Sequence, residues 1–165
     1  MSKKCSLSLD QKNALKQFSL WLDQKNFNEP FLLSGFAGSG KTFLARNFLR
    51  NVEDKNICWT VAAPTHKAVG VLKKVLEDEG LKATWYPSTI HRLLRLRLKR
   101  IGNLEICEQT DKTAKSLDQI GLVLIDEASM LDSNLLEIII SCANSFKTRL
   151  VFVGDPAQLA PIGED

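Results

Sequence analysis

Gly35-Phe36-Ala37-Gly38-Ser39-Gly40-Lys41-Thr42 follows directly on the apolar run Phe31-Leu32-Leu33 and fits the phosphate-loop pattern G-x-x-x-x-G-K-(S/T) at every fixed position. Glycines at these points let the backbone turn tightly and bring successive N–H groups against phosphate oxygens. The helix that follows aims the positive end of its dipole at the same anion. In that arrangement Lys41 reaches the β- and γ-phosphates and the Thr42 hydroxyl ligates Mg²⁺. The stretch predicts a nucleoside triphosphate site set between a strand and a helix.

The flanking sequence supplies the remaining strands and helices. Leu9 to Leu22 carries Ala14, Leu15, Phe18, Trp21 and Leu22 at helical spacing, with Ser8 or Asp10 placed to cap it. Strands are predicted over Phe31 to Gly35, Ile57 to Ala63, Gly121 to Ile125 and Arg149 to Val153. Helices are predicted over Lys41 to Asn51, over His66 to Glu79 with Gly80 as its stop, and from Asp132 or Ser133 to about Ala143. Strands alternating with helices imply an α/β fold, a parallel sheet with helices on both faces. The alternation breaks at 95–109. There Arg95-Leu96-Arg97-Leu98-Lys99-Arg100 alternates basic with apolar residues, Ile101-Gly102-Asn103 turns, and Leu104-Glu105-Ile106-Cys107-Glu108 keeps the period of two. This reads as an inserted β-hairpin, although Leu93-Leu94 ahead of it can also extend a helix.

With 165 residues, 44% of them hydrophobic, the chain is long enough for one compact core and is expected to form a single domain over 1–165. A net charge of +3 does not by itself announce a nucleic-acid partner, so local clustering must carry that argument. The four cysteines, Cys5, Cys58, Cys107 and Cys142, form no C-x-x-C pair. That argues against a zinc site or a disulfide framework and for a reducing, cytoplasmic setting. Neither a signal peptide nor a stretch approaching a bilayer span is visible, so no membrane role is expected.

Leu122-Val123-Leu124-Ile125 runs into Asp126-Glu127, the arrangement that places a carboxylate near Mg²⁺ held by a phosphate loop. Asp126 would hold the metal through its waters and Glu127 would accept a proton from the attacking water. Val151-Phe152-Val153 likewise runs into a polar turn, where Asp155 can simply organise the chain. Gln158 is either a surface residue or an amide delivered to a γ-phosphate at a strand's carboxyl end. Pro64-Thr65-His66-Lys67 closes the second strand. Its hydroxyl, imidazole and ammonium can face a phosphate backbone, or Thr65 can be an ordinary helix cap. Arg92, Arg95, Arg97, Lys99 and Arg100 form the densest basic cluster. They either touch nucleic acid or pair with Glu105 and Glu108 across the hairpin. Trp21 and Trp59 fit apolar faces, whereas Trp85-Tyr86, in a loop before Ser88-Thr89, can stack on a base or lie buried under that loop.

Together these segments resemble the first RecA-like domain of superfamily 1 helicases, in the RecD-like and Dda-like branch. The likeness runs from Leu9 to Gly163 and rests on six segments in family order: Leu9-Asp10-Gln11, Gly35 to Thr42, Ala63 to Ala68, Ser88-Thr89-Ile90-His91, Asp126-Glu127-Ala128-Ser129, and Gly154 to Pro161. It implies a P-loop NTPase fold, ATP and Mg²⁺ as cofactors, and 5′ to 3′ movement on single-stranded DNA with opening of a duplex junction. By the same likeness Gln11 would read adenine, and Gly35, Gly38, Ser39, Gly40, Lys41 and Thr42 would hold the phosphates. Lys41, Glu127 and Gln158 would serve hydrolysis, with Thr42 and Asp126 at the metal. Pro64, Thr65, His66, Lys67, Thr89 and His91 would touch the DNA strand, and the 95–109 hairpin would be a counterpart of the pin that splits the duplex. Helicases of this group complete the ATP site with arginines from a second RecA-like domain, which this chain, ending at Asp165, does not contain. The resemblance therefore implies a fragment of a longer helicase that binds ATP better than it hydrolyses it. Two rival expectations are a stand-alone module that binds ATP and single strands without turnover, and a P-loop ATPase acting on RNA.

Overall fold

The computed structural model describes residues 7–25, 28–34 and 40–154. Helix α1 (Leu9–Asp23) leads into β1 (Phe31–Ser34), α2 (Lys41–Asp54), β2 (Trp59–Ala63), α3 (His66–Asp78), β3 (Ser88–Thr89) and the one-turn α4 (Ile90–Leu93). The hairpin β4 (Arg97–Ile101) and β5 (Leu104–Glu108) follows, then β6 (Leu122–Ile125), α5 (Ser133–Phe146) and β7 (Arg149–Gly154). Five strands form one parallel sheet in the order β1-β7-β6-β2-β3. Four were predicted. The fifth, β3, is only two residues long and pairs Ser88 with Ala62 and Thr89 with Ala63, too short to give a periodic signal.

Both faces of the sheet are covered, which explains why its inner strands are apolar without alternation. Trp59, Val61, Ala63, Leu122, Leu124, Val151 and Val153 face a core shared with α1, α2 and α3. Ala62, Val123, Ile125, Leu150 and Phe152 face the other way, onto α4, α5 and the segment before β6. That segment, 109–121, carries no strong sequence signal, yet it buries Leu117 and Ile120. It is tied down by Thr148, whose hydroxyl donates to the Ile120 carbonyl at 2.7 Å. Gly121 is required where it joins β6. A Cβ there would lie 2.7 Å from Ile57 Cγ2 and 3.1 Å from the Cys58 carbonyl oxygen, with which Gly121 N–H makes a 2.8 Å bond.

Local chemistry sets the helix boundaries. Ser8 and Gln11 form a reciprocal capping box on α1, Asp132 caps α5 through the Leu135 N–H at 2.7 Å, and Gly80, at φ +66°, follows α3. Arg149 joins the two ends of the chain. Buried at the start of β7, it donates to the carbonyls of Trp21 and Gln24, closing the last turn of α1. Cys58, Cys107 and Cys142 are free thiols. No helix among the described residues is long and apolar enough to cross a membrane.

An aromatic cluster locks α1 and α2 to β1. Phe18 stacks on Phe48 with centroids 4.1 Å apart, and meets the Phe31 ring edge-on at 5.3 Å. Phe18 is fully buried, so Phe18→Ala should lower stability by about 3 to 5 kcal/mol. Urea unfolding of the two proteins checks this, and a difference below about 1 kcal/mol would contradict the packing described.

Candidate functional site

The parallel register brings the chemistry to one edge. Ser34 pairs with Gly154, and Ile125 pairs with Phe152, so β1, β6 and β7 end together at the sheet's carboxyl edge with Asp126 directly after β6, where open α/β sheets bind ligands. β7 lies between the strand that enters the phosphate loop and the strand that carries the acids. Gly35, Gly38 and Ser39, together with Asp155 and Gln158, lie outside the described residues.

Helix α2 begins at Lys41 behind Gly40, which sits at φ +85° with no side-chain cap. Its first-turn N–H groups therefore have no side chain to satisfy them. Gly40 is also a point of close approach. A Cβ there would fall 2.7 Å from Gln11 Nε2, so the start of α1 abuts the start of α2. Gln11 meanwhile accepts the Ser8 N–H on Oε1 at 3.0 Å, with its amide nitrogen toward Gly40. Nothing in the local sequence of α1 signals that contact, and only the tertiary packing reveals it.

Thr42 and Asp126 stand at one small, mostly apolar cavity of about 20 Å³ between α2 and α3, walled mainly by Leu49, Leu72, Leu76 and Leu124. Asp126 is partly buried and its N–H donates to the Ala62 carbonyl at 3.0 Å. Burial pushes its carboxyl above the ordinary range, while the Glu127 N–H, 2.8 Å from Oδ1, and the charge of Lys41 pull in the opposite direction. Glu127 takes the left-handed conformation at φ 52° and opens a 3₁₀ turn, Ala128–Met130. This sharp change of direction leaves its side chain exposed at the strand's end. Arg46, one helical turn beyond Thr42, was not anticipated. Its guanidinium pairs with Glu79 at the end of α3, while its Nε is buried without a partner.

The residues expected to touch nucleic acid fall at the neighbouring strand ends. Thr65 caps α3 by accepting the Ala68 N–H at 3.2 Å, and Thr89 caps α4 by accepting the Arg92 N–H at 3.3 Å. Because Ala63 pairs with Thr89, the two caps repeat one design on adjacent strands, each hydroxyl keeping its own proton to donate. His66 and Lys67 are exposed, whereas Pro64 and His91 are half-buried. Both readings of Thr65 thus coexist: a cap hydroxyl can also face a phosphate. In the hairpin, Arg100 pairs with Glu105 at 3.1 Å. Arg92, Arg95, Arg97 and Lys99 have no ion-pair partner among the described residues, although Arg97 stands opposite Glu108 in the ladder.

Comparison with known proteins matches residues 6–165 to the AAA domain family. An uncharacterised protein of Acanthamoeba polyphaga mimivirus is 33% identical over 154 residues, covering 85% of this chain and 31% of that protein. The RecBCD enzyme subunit RecD of Buchnera aphidicola subsp. Schizaphis graminum is 31% identical over 150 residues, covering 82% and 23%. The ATP-dependent DNA helicase dda of Enterobacteria phage T4 is 28% identical over 157 residues, covering 94% and 33%. The chain thus spans about a quarter to a third of the length of these relatives. Among solved structures, Bacteroides Pif1 in complex with ADP-AlF4 superposes with a TM-score of 0.60 at 21% identity, over 98% of this chain and 35% of that one. Bacteroides Pif1 bound to ssDNA superposes with a TM-score of 0.57 at 23% identity, over 96% and 34%. At these identities the structural likeness speaks for the RecA-like fold. The match along nearly the whole chain, taken with the phosphate-loop motif and the acid-tipped strand β6, makes this protein a nucleotide-binding member of the AAA domain family, similar over its length to stretches of RecD and Dda.

Proposed function

We propose that the chain is the N-terminal ATP-binding domain of an ATP-dependent DNA helicase that moves 5′ to 3′ along single-stranded DNA and opens the duplex junction ahead of it. The observation that carries this reading is the register that ends the strand entering the phosphate loop level with the strand that carries Asp126 and Glu127, with Asp126 within the field of Lys41. Thr42 and Asp126 offer hard oxygens, as Mg²⁺ prefers, and that ion usually takes only one or two protein ligands beside waters and phosphates. Among the described residues no three His, Cys, Asp or Glu side chains cluster as a metal site of their own. When bound, the metal would neutralise charge on the phosphates.

The chain's own residues divide the remaining work. Lys41 would hold the β- and γ-phosphates, with the loop from Gly35 to Gly40 wrapping them. Glu127, freed by its turn from the strand, would take the proton of the attacking water. Gln158 would register the γ-phosphate. Gln11, beside Gly40, would read adenine with its free amide nitrogen and share Oε1 between the base and Ser8. The paired caps Thr65 and Thr89, with Pro64, His66, Lys67 and His91, would follow the DNA strand, and the 95–109 hairpin would meet the duplex junction. The ATP-dependent DNA helicase dda and the ssDNA complex of Pif1 support this assignment of partner. A second RecA-like domain of the same polypeptide would contribute arginines worth about 10³ to 10⁵ in rate in related phosphoryl-transfer systems. The residues 1–165 alone should therefore bind ATP far better than they turn it over.

Lys41→Ala in the full-length polypeptide should cut DNA-stimulated ATP hydrolysis by about 10²-fold or more. An unchanged rate in a steady-state phosphate-release assay would remove the assigned role. Asp126→Asn should have two opposite effects. Magnesium-dependent hydrolysis should fall by a similar factor, while the metal-free protein should melt at a higher temperature at pH 7. The sign follows from burial: the carboxyl is protonated more readily folded than unfolded, so ionising it costs folding free energy. That cost develops as pH rises through the interval between its unfolded and folded pKa values. The gain in melting temperature should shrink as pH is lowered through the same interval, and a variant less stable than the parent at pH 7 would refute the argument.

A further inference from the structure

A groove of about 250 Å³ lies outside the strand-end site, at the edge of the sheet bordered by β3. Its walls are Trp85, Tyr86, Arg92 and Arg95, and Leu93 and Ile120 contribute its floor. The aromatic wall is fixed through its backbone. Thr84 N–H donates to the Trp59 carbonyl at 2.9 Å, Thr84 Oγ1 accepts the Trp59 N–H at 3.1 Å, and Thr60 Oγ1 donates to the Trp85 carbonyl at 2.9 Å. These bonds staple the loop to β2 and leave its rings outward, with Trp85 36% and Tyr86 76% exposed. The basic wall is unspent. Arg92 and Arg95 are exposed, and neither has an ion-pair partner among the described residues. Lys73 stands over the Tyr86 ring at 4.2 Å and adds a third cation at the rim. Asp118, on the neighbouring segment, is not among the lining side chains.

Position ties the groove to the strand ends. Thr89 and His91 open α4, Arg92 belongs to the same turn, and Arg95 precedes β4. Arg95 takes φ 56°, and its carbonyl accepts the Thr110 hydroxyl at 2.7 Å, which pins the root of the hairpin. Arg92 and Arg95 therefore follow Thr89 directly along the chain, on the side of the sheet that β3 borders. Aromatic faces interleaved with guanidinium groups form a stacking platform with phosphate contacts on either side, the chemistry that grips single strands without reading sequence.

We propose that this groove, walled by Trp85, Tyr86, Arg92 and Arg95, binds single-stranded DNA, continuing the strand from Thr89 round α4 to the hairpin's root with a base stacked on the aromatic wall. The proposal rests on the DNA reading given above, and the test separates the two.

Titration of the full chain with an oligothymidylate of about 12 nucleotides should quench tryptophan fluorescence, because Trp21 and Trp59 are 7% and 1% exposed and Trp85 alone is open to a base. Trp85→Phe should abolish the quench yet keep most of the affinity measured by fluorescence anisotropy of a labelled oligonucleotide. Tyr86→Ala, at a site too exposed to disturb packing, should weaken binding by about 5-fold or more. Replacing Arg92 and Arg95 together by Gln should lower the salt slope of log K by about 1.4. If the parent binds the oligonucleotide without quenching, and Tyr86→Ala and the Arg92 and Arg95 double variant match it in affinity and salt slope, the groove is not on the strand's path. If the parent binds no oligonucleotide at all, the DNA assignment itself falls. Stronger quenching and affinity with oligouridylate than with oligothymidylate would overturn the choice of DNA.

Discussion

The in-register parallel pairing of β1, β7 and β6 is the constraint on which the site depends. A carboxylate can share a cavity with Thr42 only if the strand that carries it ends level with the strand that enters the phosphate loop, and the two are not neighbours. β7 stands between them, and its pairing with both, Leu33 to Val153 on one side and Ile125 to Phe152 on the other, sets that level. A parallel strand slipped by one residue would also turn its apolar side chains to the wrong face. Because both faces are apolar, the fit of each side chain against the helices on its own face holds that register. The hydrophobic core and the candidate site's edge are two consequences of one ladder.

That ladder also explains why the site residues are polar caps and turns. At the carboxyl end each chain must leave the sheet, and the exits differ in ways that suit different tasks. After β6 the backbone turns sharply at Glu127, keeping Asp126 partly buried near Lys41 while exposing the next carboxylate. After β2 and β3 it enters helices through Thr65 and Thr89, whose hydroxyls order the helix starts, Thr65 half-buried and Thr89 buried beneath the surface that His66 and Arg92 present. A buried acid with a raised pKa costs stability, the usual sign of a group held for chemistry. Clamping by Arg46 and Glu79 joins the helix after the phosphate loop to the far end of the helix that Thr65 begins. It gives a physical link between the phosphate and strand-facing sides of the molecule.

Much of this was legible beforehand, because the relevant signals are local. The phosphate-loop spacing, the apolar runs ending in acids, and the Ser8 and Gly80 boundaries are properties of a few adjacent residues, and the structure places the corresponding elements within a few residues of expectation. The hairpin was visible from its period of two. Its charge pairing was legible in part: Arg100 pairs with Glu105, whereas opposition in the ladder brings Arg97 and Glu108 face to face without making an ion pair, since exposed side chains gain little by giving up solvent and rotamer freedom. β3 and the segment bearing Leu117 and Ile120 escaped notice for a related reason. Two residues of strand or an irregular loop have no period, and their burial is decided by what packs on them.

The sequence by itself determined the class of ligand, the alternation that makes a parallel sheet, and the residue types offered at its edge, because hydrogen-bonding chemistry and helix or strand preference act over a handful of residues. Only the tertiary structure decided which of those residues meet. The strand order that inserts β7 between β1 and β6, the approach of Gln11 to Gly40, the anchoring of α1 by Arg149, and the meeting of Trp85 with Ile120 in one groove join positions distant in the chain. Such contacts depend on the closure of long loops and on the packing of whole faces, and no short window of sequence encodes either.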